Sequence, residues 1–309
     1  FKSIEIYEFS KKNIKLDFKN IGLIYKAYKK SLKIIKEFKP DIVIGVGGYV
    51  TFPVIMAAHK LKIKTFLHEQ NSIPGKSNKF LIKYADKIGL SFTDSSKYFP
   101  KDKWILTGNP CSENALNIKA TSRTKYGLSY DKKSILIVQG SLGSEVINNK
   151  MLPFLQNIDK EQYEVLYVTG KNYYEKYSKN KFSKNVKVVP YVENLSSLLK
   201  DIDLIITRAG ASTIAEITSL GLPAILIPSP YVANNHQYYN ALSLKNANAA
   251  ELIEQKDLDE KTLKETINKI LNNKNTYETY HNNLLKLSIP NSSTIIYESI
   301  KKLINEKES

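Results

Sequence analysis

Short apolar, β-rich runs alternate with longer amphipathic stretches along almost the whole of this chain, and that rhythm restricts its fold more than anything else. Parallel strands cannot be joined by a tight turn; each pair needs a crossover, usually a helix. The alternation therefore predicts βαβ units and parallel sheets. Strands are expected at 4–9, 42–46, 64–67, 135–138, 165–168, 186–189, 204–206, 224–227 and 250–253, with shorter elements near 80–84, 87–90 and 104–106. Helices are expected at 21–38, 53–61, after Gly143, and at 195–199, 214–220, 237–245, 263–272 and 294–305. In the first, Ile24, Tyr28, Leu32, Ile35 and Phe38 share one side, with Lys26, Lys29, Lys33 and Lys36 largely off it.

Between Gly108 and Lys133 the rhythm lapses into Asn, Ser, Pro, Thr and Lys. At 309 residues the chain is long enough for two domains. The division expected is an N-terminal domain over 1–110, a linker over 111–133, a second domain over 134–288, and a terminal helix, 289–309, packing back on the first domain. The fold class is α/β: two doubly wound, Rossmann-like domains with a ligand cleft between their strand C-termini.

The net charge of +16 comes almost wholly from lysine, since Arg123 and Arg208 are the only arginines. A basic surface suits nucleic acid, anionic lipid or phosphorylated substrates, without choosing among them. A single cysteine, Cys111, excludes an internal disulfide and a cysteine-based metal site. No uninterrupted apolar stretch is long enough to span a bilayer. The chain opens without an initiator methionine or a targeting pattern, so it reads as a mature or truncated piece.

Residues 207–216, T-R-A-G-A-S-T-I-A-E, are the richest ten. They follow the apolar run Leu204-Ile205-Ile206 and lead into an amphipathic one, which makes a strand, a small-residue turn and a helix. Ala209, Gly210 and Ala211 let a ligand approach the backbone. Ser212 and Thr213 offer hydroxyls where the helix begins, and free N–H groups there favour a diphosphate. Glu216, about one turn on, is an acceptor suited to the vicinal hydroxyls of a ribose. An ordinary strand-to-helix corner is the other reading of the same residues.

Three further segments have this character. Gly45-Val46-Gly47-Gly48-Tyr49 closes a strand ahead of Pro53, placed as the first residue of a helix; it reads as close strand–helix packing or as a phosphate cradle. His68-Glu69-Gln70-Asn71 ends another strand, where His68 or Glu69 could accept or orient a proton, or where the side chains cap a polar loop. Gln139-Gly140-Ser141-Leu142-Gly143-Ser144 repeats the turn logic at the head of the second half. Gln237 opens another helix and could bond sugar hydroxyls, while Asn234 or Asn235 could cap that helix. Asp201-Ile202-Asp203 is the nearest approach to a metal-binding acidic motif; its place between a helix end and a buried strand favours a structural role. His59 and His281 have no partners at ligand spacing.

Taken in order, G-V-G-G-Y-V, L-H-E-Q-N, T-G-N-P, R-A-G-A-S-T-I-A-E, G-L-P-A-I-L-I-P and N-N-H-Q-Y-Y-N-A resemble the MurG family of bacteria over nearly the whole chain. The resemblance implies a two-domain GT-B glycosyltransferase on the inner face of the cytoplasmic membrane. It would move N-acetylglucosamine from UDP to the muramyl 4-hydroxyl of lipid I, undecaprenyl-pyrophosphoryl-muramyl-pentapeptide, forming lipid II with inversion, no cofactor and no bound metal. Carried over by position, Ser141 touches the donor diphosphate and Val192 meets uracil through its backbone. Ala211, Ser212, Thr213, Ile214, Ala215 and Glu216 hold phosphate and ribose, and Gln237 reads the donor sugar. On the acceptor side stand Asn71, His68 and Glu69, with Gly45, Gly47, Gly48 and Tyr49 as the glycine loop.

The chain also departs from the family. The Gly-Gly-Thr-Gly-Gly-His loop, source of the usual proposed base, is absent, as if the chain began about two βα units late. Cys111, Ser112 and Glu113 stand where an arginine is expected, and Gln139 and Leu142 replace usual loop residues. Donor binding is therefore better supported than catalysis. Lys11 to Lys39, with Ile21, Leu23, Ile24 and Tyr25, is the candidate contact with an anionic membrane; an amphipathic helix packed on its own sheet is the alternative. Other functions compatible with the residues are another UDP-sugar:lipid transferase, such as a diacylglycerol glycosyltransferase, and a non-catalytic nucleotide-sugar-binding remnant. Nucleic-acid binding rests on charge alone and lacks an arginine-rich or aromatic-interleaved motif.

Overall fold

Strands buried on both faces must be apolar throughout, and this requirement selects the second half's central runs, among them Ile135-Leu136-Ile137-Val138 and Leu204-Ile205-Ile206. The computed structural model describes residues 2–5, 14–140 and 142–306, and only the backbone of 14–21. Two compact units result: Phe1–Asn109 with Asn291–Ser309, and Pro110–Pro290.

The first unit holds a parallel sheet in the order β1 (Ile42–Gly45), β2 (Lys64–Glu69), β3 (Lys87–Leu90), β4 (Trp104–Leu106). Helix α1 (Ile14–Phe38) packs on α2 (Thr51–Lys60), and α3 (Lys76–Leu81) follows β2. The core joins Ile55, Leu67, Leu81, Ile88 and Leu90, and a second cluster joins Ile35 of α1 with Ala57 and Ala58 of α2. α1 buries Ala27, Ser31 and Ile35, whereas Phe38, expected on the packed face, is 79% exposed. The reason is local: Phe38 is the last residue of α1, and Lys39 turns the chain at φ 49°. α2 starts at Thr51, two residues earlier than expected, so Pro53 occupies its first turn, where its missing N–H costs nothing. Most of the strand expected at 4–9 falls outside the described residues.

The second unit's sheet runs β10 (Glu251–Leu252), β9 (Ala224–Leu226), β8 (Leu204–Thr207), β5 (Lys133–Val138), β6 (Tyr163–Val168), β7 (Val186–Val189), all parallel. Strand order reverses between β5 and β8, and crossovers leave in opposite directions there. The helices are α5 (Glu145–Gln156), α6 (Tyr174–Tyr177), α7 (Leu195–Leu199), α8 (Ala211–Leu220), α9 (His236–Asn246), α10 (Glu260–Leu271) and α11 (Lys274–Leu287). Residues 111–133, expected as a linker, carry α4 (Cys111–Asn117), which packs on α8, and a 3-10 turn, Arg123–Tyr126. Arg123 ties that stretch down, since its guanidinium meets Asp203 and Ser134 at 2.8 Å and its N–H meets Asp201 at 2.8 Å. The Asp201–Asp203 pair is thus engaged with Arg123, Lys133 and Ser134. The terminal helix α12 (Ser292–Asn305) belongs to the first unit and lies against β2.

Candidate functional site

Parallel β5 and β8 align so that Val138 pairs with Thr207, and the loops that leave them emerge side by side. This is where a doubly wound sheet opens a crevice. Gly140 and Gly143 both take φ 78°, and Gly170, after β6, takes φ 88°, all in the left-handed region that side chains disfavour. The two loops touch backbone to backbone: a Cβ on Gly170 would lie 2.4 Å from the Leu142 carbonyl oxygen. Gln139 is buried and its amide reaches the Ile206 carbonyl at 3.4 Å. Ser141 lies outside the described residues. Arg208 braces the β5 and β8 loops, donating to Ser144 Oγ at 3.2 Å, Gln255 Oε1 at 2.8 Å and the Ile227 carbonyl at 3.0 Å. Burial holds its pKa down to about 10.

Helix α8 begins one residue beyond Gly210, which adopts φ −68°, ψ 142° and has no side chain to cap the helix. Ala211, Ser212 and Thr213 are thus the first helical residues, and Ser212 and Thr213 stand inside the first turn, not at the cap. The opening N–H groups carry the positive end of the helix dipole and suit an anion. Asn240 of α9 donates to the Ala209 carbonyl at 3.2 Å and fixes the turn. Ile214 is buried and anchors α8 to the core, with Ala215 half-buried beside it.

Glu216 follows on the same helix, with burial pushing its carboxyl upward and a 2.5 Å hydrogen bond from Ser196 Oγ to Oε1 opposing that. Among the described residues Oε2 has no hydrogen-bond donor. Ser196 lies on α7, four residues beyond Val192, whose side chain is buried and whose backbone N–H and C=O make no hydrogen bond among the described residues. Gln237 accepts from the Ser229 N–H at 2.9 Å, which fixes its oxygen. Neither Asn234 (φ 54°) nor Asn235 (φ 51°) caps α9 through its side chain; both form a left-handed corner before it. In the second unit, therefore, Glu216 is held by Ser196 and Gln237 by Ser229, each through its own hydrogen bond.

In the first unit Gly45 ends β1, and a Cβ there would lie 2.5 Å from Thr51 Cγ2, so strand and helix pack too tightly for a side chain. Gly47 (φ 92°) and Gly48 (φ 80°) turn the loop to Tyr49, and the Thr51 hydroxyl donates to the Gly47 carbonyl. Gln70 Nε2 donates to the Val46 carbonyl at 3.0 Å, so the glycine loop and the H-E-Q-N segment are one assembly. Strand β2 extends through His68 and Glu69, two residues further than expected, and both are buried.

His68 Nε2 lies 2.9 Å from the Gly108 carbonyl and 3.2 Å from Thr107 Oγ1, while Gln70 Nε2 is 3.3 Å from Nδ1. A carbonyl only accepts, so Nε2 carries the proton and the basic Nδ1 is already occupied. Burial lowers the His68 pKa, against the pull of the Gly108 bond and the Glu69 charge. Glu69 accepts from Asn71 N (3.0 Å), Asn71 Nδ2 (3.2 Å), Gly75 N (3.0 Å) and Asn78 Nδ2 (2.8 Å). Both groups are therefore spent on loop geometry.

Several contributors had no role in the sequence reading: Arg208, Ser196, Asn240, Asn78 and Thr107. Arg208 stood inside the ten-residue motif as the second of only two arginines, which was a usable signal. Ser196 and Asn78 gave none, because their partners lie on other elements. His59 is exposed and packs edge-on against Tyr84 at 5.2 Å, and His281 Nδ1 meets the Gly221 carbonyl at 2.7 Å.

Residues 1–90 match the Glycosyltransferase family 28 N-terminal domain and residues 134–293 the Glycosyltransferase family 28 C-terminal domain. The chain is 40% identical, over 99% of its length and 85% of the relative, to the UDP-N-acetylglucosamine--N-acetylmuramyl-(pentapeptide) pyrophosphoryl-undecaprenol N-acetylglucosamine transferase of Bacillus cytotoxicus. It is 41% identical to the protein of the same name from Bacillus subtilis, over 98% and 85%. Among solved structures it is similar to Acinetobacter baumannii MurG, with TM-score 0.76, 26% identity, and 97% and 84% of the two chains covered. It shares its fold with the UDP-GlcNAc 2-epimerase of Neisseria meningitidis bound to UDP-GlcNAc, at TM-score 0.69 and 19% identity, over 91% and 81%.

Proposed function

The chain belongs to the MurG family of UDP-N-acetylglucosamine--N-acetylmuramyl-(pentapeptide) pyrophosphoryl-undecaprenol N-acetylglucosamine transferases, and from that premise we propose how its two loop sets carry out the reaction. The enzyme is a GT-B hexosyltransferase that moves N-acetylglucosamine from UDP to lipid I and so makes lipid II for peptidoglycan. The second unit takes the donor. Uracil pairs with the idle backbone groups of Val192, and Glu216 accepts hydrogen bonds from the ribose hydroxyls. The diphosphate rests on the uncapped N–H groups at Ala211–Thr213, and the Gln237 amide donates to the sugar.

As the glycosidic bond to UDP breaks, negative charge grows on the diphosphate, and the preset helix terminus stabilises it without reorganising. The muramyl 4-hydroxyl oxygen bonds to the anomeric carbon from the face opposite UDP as the bond to UDP breaks, inverting that carbon, and the hydroxyl proton passes to a general base on the acceptor side. In the first unit, Gly45, Gly47, Gly48 and Tyr49 with Asn71 face the acceptor, and His68 and Glu69 hold that loop in shape. The membrane approach is peripheral: no helix of the described residues is long and apolar enough to cross a bilayer. Exposed Tyr25, Lys26, Lys29 and Lys33 on α1 meet the anionic cytoplasmic leaflet.

The observation that carries the donor assignment is the uncapped start of α8 with the half-satisfied Glu216 one turn along it. Calorimetric titration with UDP tests it. The chain binds UDP, and Glu216→Gln weakens binding by about 2 kcal/mol, as for one charge-assisted hydrogen-bond pair. Unchanged affinity in that variant removes Glu216 from the site. Transfer to a lipid I analogue, measured on this chain and on one extended at its amino end, tests the reaction itself.

A further inference from the structure

We propose that Ser196 is a positioning residue of the donor site, whose hydroxyl presets the Glu216 carboxylate for the ribose hydroxyls. The proposal rests on the assignment of Glu216 to ribose made above and adds to it the group that aims it.

Three observations carry it. The Ser196 Oγ to Glu216 Oε1 hydrogen bond is short, at 2.5 Å, and Ser196 is only 8% exposed. A carboxylate has about four lone-pair sites, so one donor leaves both oxygens able to accept ribose hydroxyls while fixing the plane of the group. Second, hydrogen bonds tie α7 down on either side of Ser196. Asn194 Oδ1 caps Ser197 N at 3.3 Å, Ser197 Oγ donates to the Lys119 carbonyl at 2.5 Å, and the Thr121 N–H meets the Ser197 carbonyl at 3.0 Å. Lys200 Nζ adds bonds to the Leu116 and Ile118 carbonyls at 2.6 Å each.

Third, Val192 and Ser196 sit on one short segment, so the element that reads the base also aims the sugar's partner. A long, flexible carboxylate side chain left unguided would have to lose rotamer freedom at the moment of binding. Ser196 makes that loss part of folding. This is preorganisation of an untouched ligand partner, not a contact with the nucleotide.

The test uses the full chain, UDP and 2′-deoxy-UDP, titrated calorimetrically against wild type, Ser196→Ala, Glu216→Gln and the double variant. Wild type prefers UDP, because 2′-deoxy-UDP lacks a hydroxyl that Glu216 accepts. Ser196→Ala loses about tenfold in UDP affinity while 2′-deoxy-UDP changes by less than about twofold, so the preference collapses. In the Glu216→Gln background the serine substitution adds nothing, as for residues acting through one another. Ser196→Cys, with similar volume and a weaker donor, falls between, which separates aiming from packing. If Ser196→Ala keeps the wild-type preference, or weakens both nucleotides alike, Ser196 does not aim Glu216. If wild type itself binds both nucleotides equally, the ribose assignment of Glu216 falls, and this proposal with it.

Discussion

Glu69 takes four N–H donors and Glu216 a single hydroxyl, and that difference separates the keystone of a loop from the carboxylate we propose as a ligand partner. A sequence shows that a carboxylate is present, not how many donors surround it. The place of Glu216 on a helix behind small residues was legible from its motif. The loop-capping reading of His68 and Glu69 stood as one of two alternatives in the sequence, but their partners Gly75, Asn78, Thr107 and Gly108 meet them only after folding. His68 has a testable consequence. Its ring is buried and its folded pKa lies below 6.5, so below that pH the unfolded chain takes up a proton that the folded one resists. The stability contribution is full above pH 6.5 and drains as pH falls through the folded pKa. Urea unfolding of the first unit followed against pH should show this slope, and His68→Gln should flatten it. An unchanged slope in the variant places the titration elsewhere.

Among the elements, the central strands β5 and β8 could be read to within two residues because burial on both faces demands continuous apolar runs. β7 and α7 fall where their patterns placed them. α4 and α11 escaped notice because their cores are few: α11 buries only Tyr280 and Leu284 among its fourteen residues, too sparse to show a period. The contact of Gly143 with Gly170 also joins two loops that no local pattern connects. Here a glycine's freedom decides the architecture. Gly170→Ala puts a Cβ 2.5 Å from Gly143 N in a left-handed backbone, and should cost about 2–3 kcal/mol of stability in the second unit. It should also lower UDP affinity about tenfold by shifting the glycine loop. Thermal unfolding and UDP titration of the variant check both effects; wild-type values in both would show that the loops do not depend on that contact.

For the whole molecule, two α/β units followed from the strand–helix alternation and the MurG family from six short motifs in register, and the relatives at 40% and 41% identity agree on the family. The net charge of +16 pointed to no function by itself; the exposed lysines of α1 are where we propose it acts, at an anionic surface. In the proposed reading the units meet different parts of the reaction, the second unit holding the donor and the first shaping the acceptor loop. A crystal structure with bound UDP-N-acetylglucosamine tests this most directly. The account predicts the diphosphate against the amides of Ala211–Thr213, the ribose hydroxyls on Glu216 and uracil on the Val192 backbone. Nucleotide bound away from the C-terminal ends of β5 and β8 would contradict it.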